Sequence, residues 1–175
     1  MSRPVIFLDV SGVLISTAHQ RGYKQAPLHP PAELLYIPTS PAPFLRSALA
    51  ALAHLTACSG AQLVLSSTWR LAPSGRRLGV LRAALQQGGV GVATLAGCTP
   101  VLPGCGRGAE VLAWLALHPE VQHWVVLDDQ LCLFEASLQA MQGRVLVCSP
   151  EVGLTLELAQ EAAARLQQQQ QQQQQ

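Results

Sequence analysis

Apolar and polar residues follow one another in blocks along this chain. Residues 4–10 (PVIFLDV) form a short apolar run broken by one aspartate and followed by Gly12, which suits a strand buried in a parallel sheet better than a helix. From residue 16 to 40 the composition turns to Pro, His, Gln and Thr, read as a long loop. Ser40 is placed to N-cap a helix with Pro41 in its first turn, running through FLRSALAALAHLTAC to Gly60. AQLVLSS, residues 61–67, predicts a second strand. GRRLGVLRAALQQ, residues 75–87, carries Leu78, Leu81 and Leu85 at helical spacing and stops at Gly88-Gly89. VGVATL, residues 90–95, predicts a third strand, and after a Pro- and Gly-rich connection RGAEVLAWLALH, residues 107–118, reads as a helix closed by Pro119. HWVVLDD (123–129) is a fourth strand, CLFEASLQAM (132–141) a helix stopped at Gly143, RVLVC (144–148) a fifth strand, and LTLELAQEAAARL (154–166) a last helix.

Five strands alternating with helices predict one α/β domain, a three-layer Rossmann-like arrangement whose five-stranded, mostly parallel sheet is covered on both faces. That domain is expected over residues 1–166. The nine glutamines at 167–175 have no apolar face to bury, so they are expected to form a disordered tail or a fraying helix. In such sheets ligands bind at the carboxyl ends of the strands. There the first strand ends in Asp9, the second in Ser66 and the fourth in the pair Asp128-Asp129. Carboxylates gathered in a cleft repel one another; a hard cation with oxygen ligands relieves that, and Mg²⁺ with a phosphate group is the natural occupant.

Composition narrows the picture. The chain has 175 residues, of which 49% are hydrophobic and 12% charged, enough for one well-filled core built from Leu, Val and Ala. The formal net charge is +1, which gives no overall field toward nucleic acid or an anionic membrane. The five cysteines lack any C-x-x-C pair, arguing against a zinc site or a disulfide framework. No segment reads as a signal peptide or a membrane span; a cytoplasmic monomer is expected. The three tryptophans are read as packing residues. GCGRGA, residues 104–109, mimics a dinucleotide-binding turn, but Pro103 and a loop precede it where a strand is required.

Taken in order, VIFLDVSGVL, LVLSSTWR, RGAEVLAWL and WVVLDD resemble the motifs of the haloacid dehalogenase (HAD) superfamily. The likeness is closest to the small HAD domains associated with RNA-repair proteins and covers about residues 4–158. The resemblance implies a HAD-type fold with minimal or no cap and an Mg²⁺-dependent phosphohydrolase or phosphotransferase. It makes Asp9 the nucleophile that forms an aspartyl-phosphate. Ser66 would hold a phosphoryl oxygen, with Ser67 as its stand-in. Asp9, the backbone of Ser11, Asp128 and Asp129 would hold Mg²⁺. Arg107 is the candidate cation for the phosphoryl group, and Arg70 its rival.

Ser11 departs from that pattern. The family's phosphatases carry an aspartate there to protonate the leaving group and activate water, and serine does neither well. General acid–base help is worth about 10²–10⁴-fold, so a slow enzyme and a non-catalytic binding module of the same fold both stay open. A receiver-type phosphoacceptor fits less well, because that class carries its acidic pair on the first strand. The substrate is expected to be phosphorylated, its class unread. Arg70, Arg76, Arg77 and Arg82 form a local basic run that suits either a solvated helix face or contact with a nucleic-acid end.

Overall fold

Every residue from Val5 to Leu8 is buried, and a strand buried on both faces belongs in the middle of a sheet. The computed structural model describes residues 3–20, 28, 31–71, 75–91, 94–141 and 143–172. Its elements are β1 (Val5–Leu8), α1 (Thr17–Gln20), β2 (Leu34–Leu35), β3 (Phe44–Leu45), α2 (Arg46–Ser59), β4 (Gln62–Leu65), α3 (Arg76–Gln87), β5 (Leu95–Cys98), α4 (Arg107–Leu117), β6 (Trp124–Asp128), α5 (Leu138–Met141), β7 (Val145–Val147) and α6 (Leu156–Gln172). The main sheet runs β5-β4-β1-β6-β7, every pair parallel, so the expected α/β architecture is the one observed.

Side chains alternate across this sheet. Ile6 and Leu8 join Leu63, Leu65, Val125 and Leu127 in the larger core, under α2, α3 and α6. Val5 and Phe7 join Val64, Trp124 and Val126 on the other face, under Val111 of α4, Phe134 and Met141. There Phe7 meets Trp114 edge-on at 5.3 Å and Trp124 at 5.9 Å, favourable separations for aromatic pairs.

Four local expectations are corrected. The stretch read as a loop from 16 to 40 contains α1 and β2, while residues 21–27, 29 and 30 lie outside the described ones. Ser40 does not cap α2, which begins six residues later with Leu45 at its N-cap and no side-chain cap bond. Phe44 and Leu45 instead pair antiparallel with Leu35 and Leu34, because both are buried, and the Ser40 hydroxyl closes a local turn on Ala42. The third strand falls later than 90–95, at β5, and residues 92 and 93 of the expected strand lie outside the described ones. As an edge strand only partly buried, with sequence LAGC, β5 needs no strong apolar run. The expected helix at 132–141 is mostly a 3₁₀ segment, Leu131–Ser137, followed by the single turn α5.

The boundary expected at residue 166 lies inside α6, which continues to Gln172. One glutamine gives it purchase. Gln169 Oε1 accepts from the Trp124 amide at 2.9 Å and from Arg144 at 2.7 Å, and Gln169 Nε2 donates to the Trp124 carbonyl at 3.2 Å. The side-chain amide thus serves the first residue of β6 as a neighbouring strand would. Replacing it leaves a half-buried amide without its acceptor, at about 1–3 kcal/mol. Gln169→Ala is therefore expected to lower the melting temperature by several degrees, while Gln171→Ala, at an exposed position, leaves it in place. Equal melting curves for the two variants would contradict the contact's role.

Candidate metal and phosphate site

Three strands of the parallel sheet end side by side. Leu8 is in register with Leu65 and with Leu127, so the residues that follow emerge together at one edge. The Asp9 amide donates to the Leu127 carbonyl at 3.0 Å and the Ser66 amide to the Leu8 carbonyl at 3.0 Å. Asp128 closes β6, its carbonyl accepting from the Cys148 amide at 2.8 Å and its Oδ1 from the Gln130 amide at 2.9 Å.

The carboxylates converge. One oxygen from each of Asp9, Asp128 and Asp129 lies within 4.8 Å of the others, with Asp9 and Asp128 buried and Asp129 half-buried. The loop after Asp9 is shaped to admit them. Gly12 has φ of +77°, and a Cβ there would stand 2.3 Å from both Cγ and Oδ2 of Asp129; only glycine permits that conformation and that approach together. Ser11, half-buried, sits in the same loop and forms a bridge with Ile15.

Among the described residues, one cation faces these acids. Arg107, the first residue of α4, puts NH1 3.3 Å from Asp9 Oδ1 and hydrogen-bonds Asp128 Oδ2. Burial works against the guanidinium's charge, but Asp9 and Asp128 outweigh it and hold its pKa above the usual value. The acids remain undercompensated. Burial pushes the Asp9 carboxyl up against the opposing pull of Arg107, the Ser67 hydroxyl and the Val10 amide. Asp128 is pushed up to about 6, by burial first and by the charge of Asp9, although Arg107 pulls the other way. A buried all-oxygen donor set with excess negative charge fits a hard divalent cation.

The phosphate-side residues divide by role. Ser66 is fully buried and its hydroxyl has no hydrogen-bond partner among the described residues, an exception among buried polar groups that fits a ligand oxygen. The neighbouring Ser67 hydroxyl accepts weakly from the Trp69 amide at 3.4 Å and pulls the Asp9 carboxyl pKa down against burial. Arg70 turns away from the carboxylates. Its NH1 donates to the Ser66 and Ser67 carbonyls at 2.7 and 2.6 Å, and its NH2 pairs with Glu110 Oε2 at 2.5 Å. Glu110 Oε1 in turn accepts from the Leu102 amide at 3.1 Å.

Glu110 is the residue that sequence reasoning missed. Three residues after Arg107, it has the spacing of an i,i+3 pair on an exposed helix face, whereas its partner Arg70 lies 40 positions away. Its only sequence signal is a lone acid in a helix that, Arg107 apart, is apolar, RGAEVLAWL.

A family model described as the HAD domain in Swiss Army Knife RNA repair proteins matches residues 5–159. No curated protein matches the chain.

Proposed function

Because the chain belongs to the family of HAD domains in Swiss Army Knife RNA repair proteins, over residues 5–159, we propose that it is an Mg²⁺-dependent phosphohydrolase or phosphotransferase acting through an aspartyl-phosphate on Asp9. The observation that carries this reading is the unpartnered, fully buried Ser66 hydroxyl at the same sheet edge as three undercompensated carboxylates. A phosphate monoester supplies the acceptor that Ser66 lacks, and a divalent cation offsets the acids.

In this mechanism an Asp9 oxygen attacks phosphorus as the ester P–O bond breaks, and the leaving oxygen departs with the electron pair. Ser66 donates to a phosphoryl oxygen. Arg107 offsets the charge on the phosphoryl group and, with Ser67, fixes the Asp9 carboxylate. Asp9, Asp128, Asp129 and the backbone of Ser11 would hold Mg²⁺, which when bound neutralises phosphoryl oxygens and draws phosphate and nucleophile together. Water then hydrolyses the aspartyl-phosphate. Both halves are slowed, because Ser11 gives the leaving group no proton in the first and takes none from water in the second.

Ser11→Asp is therefore expected to raise turnover of an alkyl phosphate by about 10²–10⁴-fold, and of an activated aryl phosphate by less, since that leaving group needs no acid. The family's link to RNA repair makes phosphorylated nucleic-acid ends part of the substrate panel. Ser11 itself favours a second reading, a binding module of the same fold. If native protein and Ser11→Asp both bind Mg²⁺ and phosphate yet hydrolyse no ester, the binding module replaces the enzyme.

A further inference from the structure

Beside the acidic cluster a cleft of about 280 Å³ is cut into the surface. Two of its walls are Ser11 and Thr68, which follow Asp9 and Ser66 by two residues each. The cleft therefore opens from the strand ends that carry the nucleophile and the orphan hydroxyl. A third wall is Trp69, whose buried indole is braced by Phe44 with ring centroids 5.7 Å apart. Arg77 holds its guanidinium over that indole, 5.9 Å from the ring centroid.

Among the described residues, Arg77 is the only charged one lining the cleft. It is exposed, and among the described residues no carboxylate lies within ion-pair distance of it. The other arginines of the basic run go elsewhere, Arg70 to Glu110 and Arg76 and Arg82 to exposed positions outside the cleft. A guanidinium positioned by an aromatic face, with no acid among the described residues that line its cleft, selects for an anion. Its planar fork matches phosphate oxygens in pairs.

We propose that this cleft receives the part of the substrate beyond the reacting phosphate and that Arg77 binds a second phosphate there, making the preferred substrates bisphosphorylated. The proposal rests on the reading of the Asp9 site as a phosphate site.

Unreactive phosphonates test it by binding alone. Titration calorimetry of the full chain with Mg²⁺ compares alkane bisphosphonates of increasing chain length with the matching monophosphonates. At the best length the bisphosphonate is expected to bind about tenfold more tightly, the return on one charge-assisted contact, and Arg77→Met is expected to bring that ratio close to one. Because Arg77 is exposed, the variant folds. A native ratio near one at every length, or a preference that survives Arg77→Met, overturns the proposal. If the native protein binds neither phosphonate, the phosphate reading of the Asp9 site falls, and the second-phosphate subsite with it. If it binds the monophosphonates without preferring their partners, only the subsite falls.

Discussion

Mg²⁺ is expected to raise the melting temperature of the native protein and to leave that of the Asp128→Asn, Asp129→Asn double variant where it was. A ligand that binds only the folded state stabilises it by about 2.7 kcal/mol at a hundred times its Kd, roughly 5–10 °C for a chain of this length. The double variant removes two of the three carboxylates that converge within 4.8 Å. What remains is Asp9 against Arg107, 3.3 Å apart, one charge against one. The metal-free double variant is therefore expected to melt no lower than the native protein, because burial already disfavours the ionised form of Asp128 and pushes its carboxyl up to about 6. This separates loss of metal from loss of fold. The sign of the pH dependence follows: as pH falls through about 6, Asp128 takes up a proton and the response of the native protein to Mg²⁺ shrinks. An undiminished Mg²⁺ shift in the double variant would put the metal elsewhere.

Glu110→Ala is expected to be among the most destabilising single substitutions in the chain. Arg70 and Glu110 have side-chain exposures of 6% and 10%, so truncating the acid strands a buried guanidinium, at about 3–5 kcal/mol or roughly 6–20 °C. It also deprives the Leu102 amide of its acceptor. Removing both partners, Arg70→Met with Glu110→Leu, is expected to cost less than Glu110→Ala alone, since no charge is then left unpaired. The recovery in stability is not expected to extend to function. Arg70 also holds the Ser66 and Ser67 carbonyls, and without it the Ser66 hydroxyl loses its fixed position and inorganic phosphate binds more weakly. Thermal melts and phosphate titrations of the two variants check both halves; a Glu110→Ala protein that melts within about 1 kcal/mol of native would show that the pair does not hold these segments together.

The parts of this molecule legible in its sequence are those governed by short-range pattern. β1, β4 and β6 announce themselves as apolar runs because both their faces are buried, and the shared position of Asp9, Ser66 and Asp128 at one sheet edge is legible because each ends or directly follows such a run. α3 and α4 begin and end close to where periodicity, Gly88 and Pro119 put them. What escaped depends on pairing at a distance. Leu34 and Leu35 become a strand only because Phe44 and Leu45 lie opposite them, and neither pair is long enough to show a period. β5 sits at an edge and carries a weak apolar signal. The partners of Arg70 and Gln169 lie 40 and 45 positions away, beyond any local rule, and a charge on an apolar helix reads equally as solvated or buried until the opposite wall is known.

The hold of α6 on the start of β6 sets what the length of the glutamine run can change. The glutamine run begins at residue 167 and contains nine identical residues, and the amide that meets Trp124 is the third of them. Its position is set by the distance from Leu166, counted forward, and not by how many glutamines follow. A chain keeping at least three glutamines after Leu166 would still present one to Trp124, so the length of the run beyond that point does not bear on the contact, whereas a single substitution at residue 169 does.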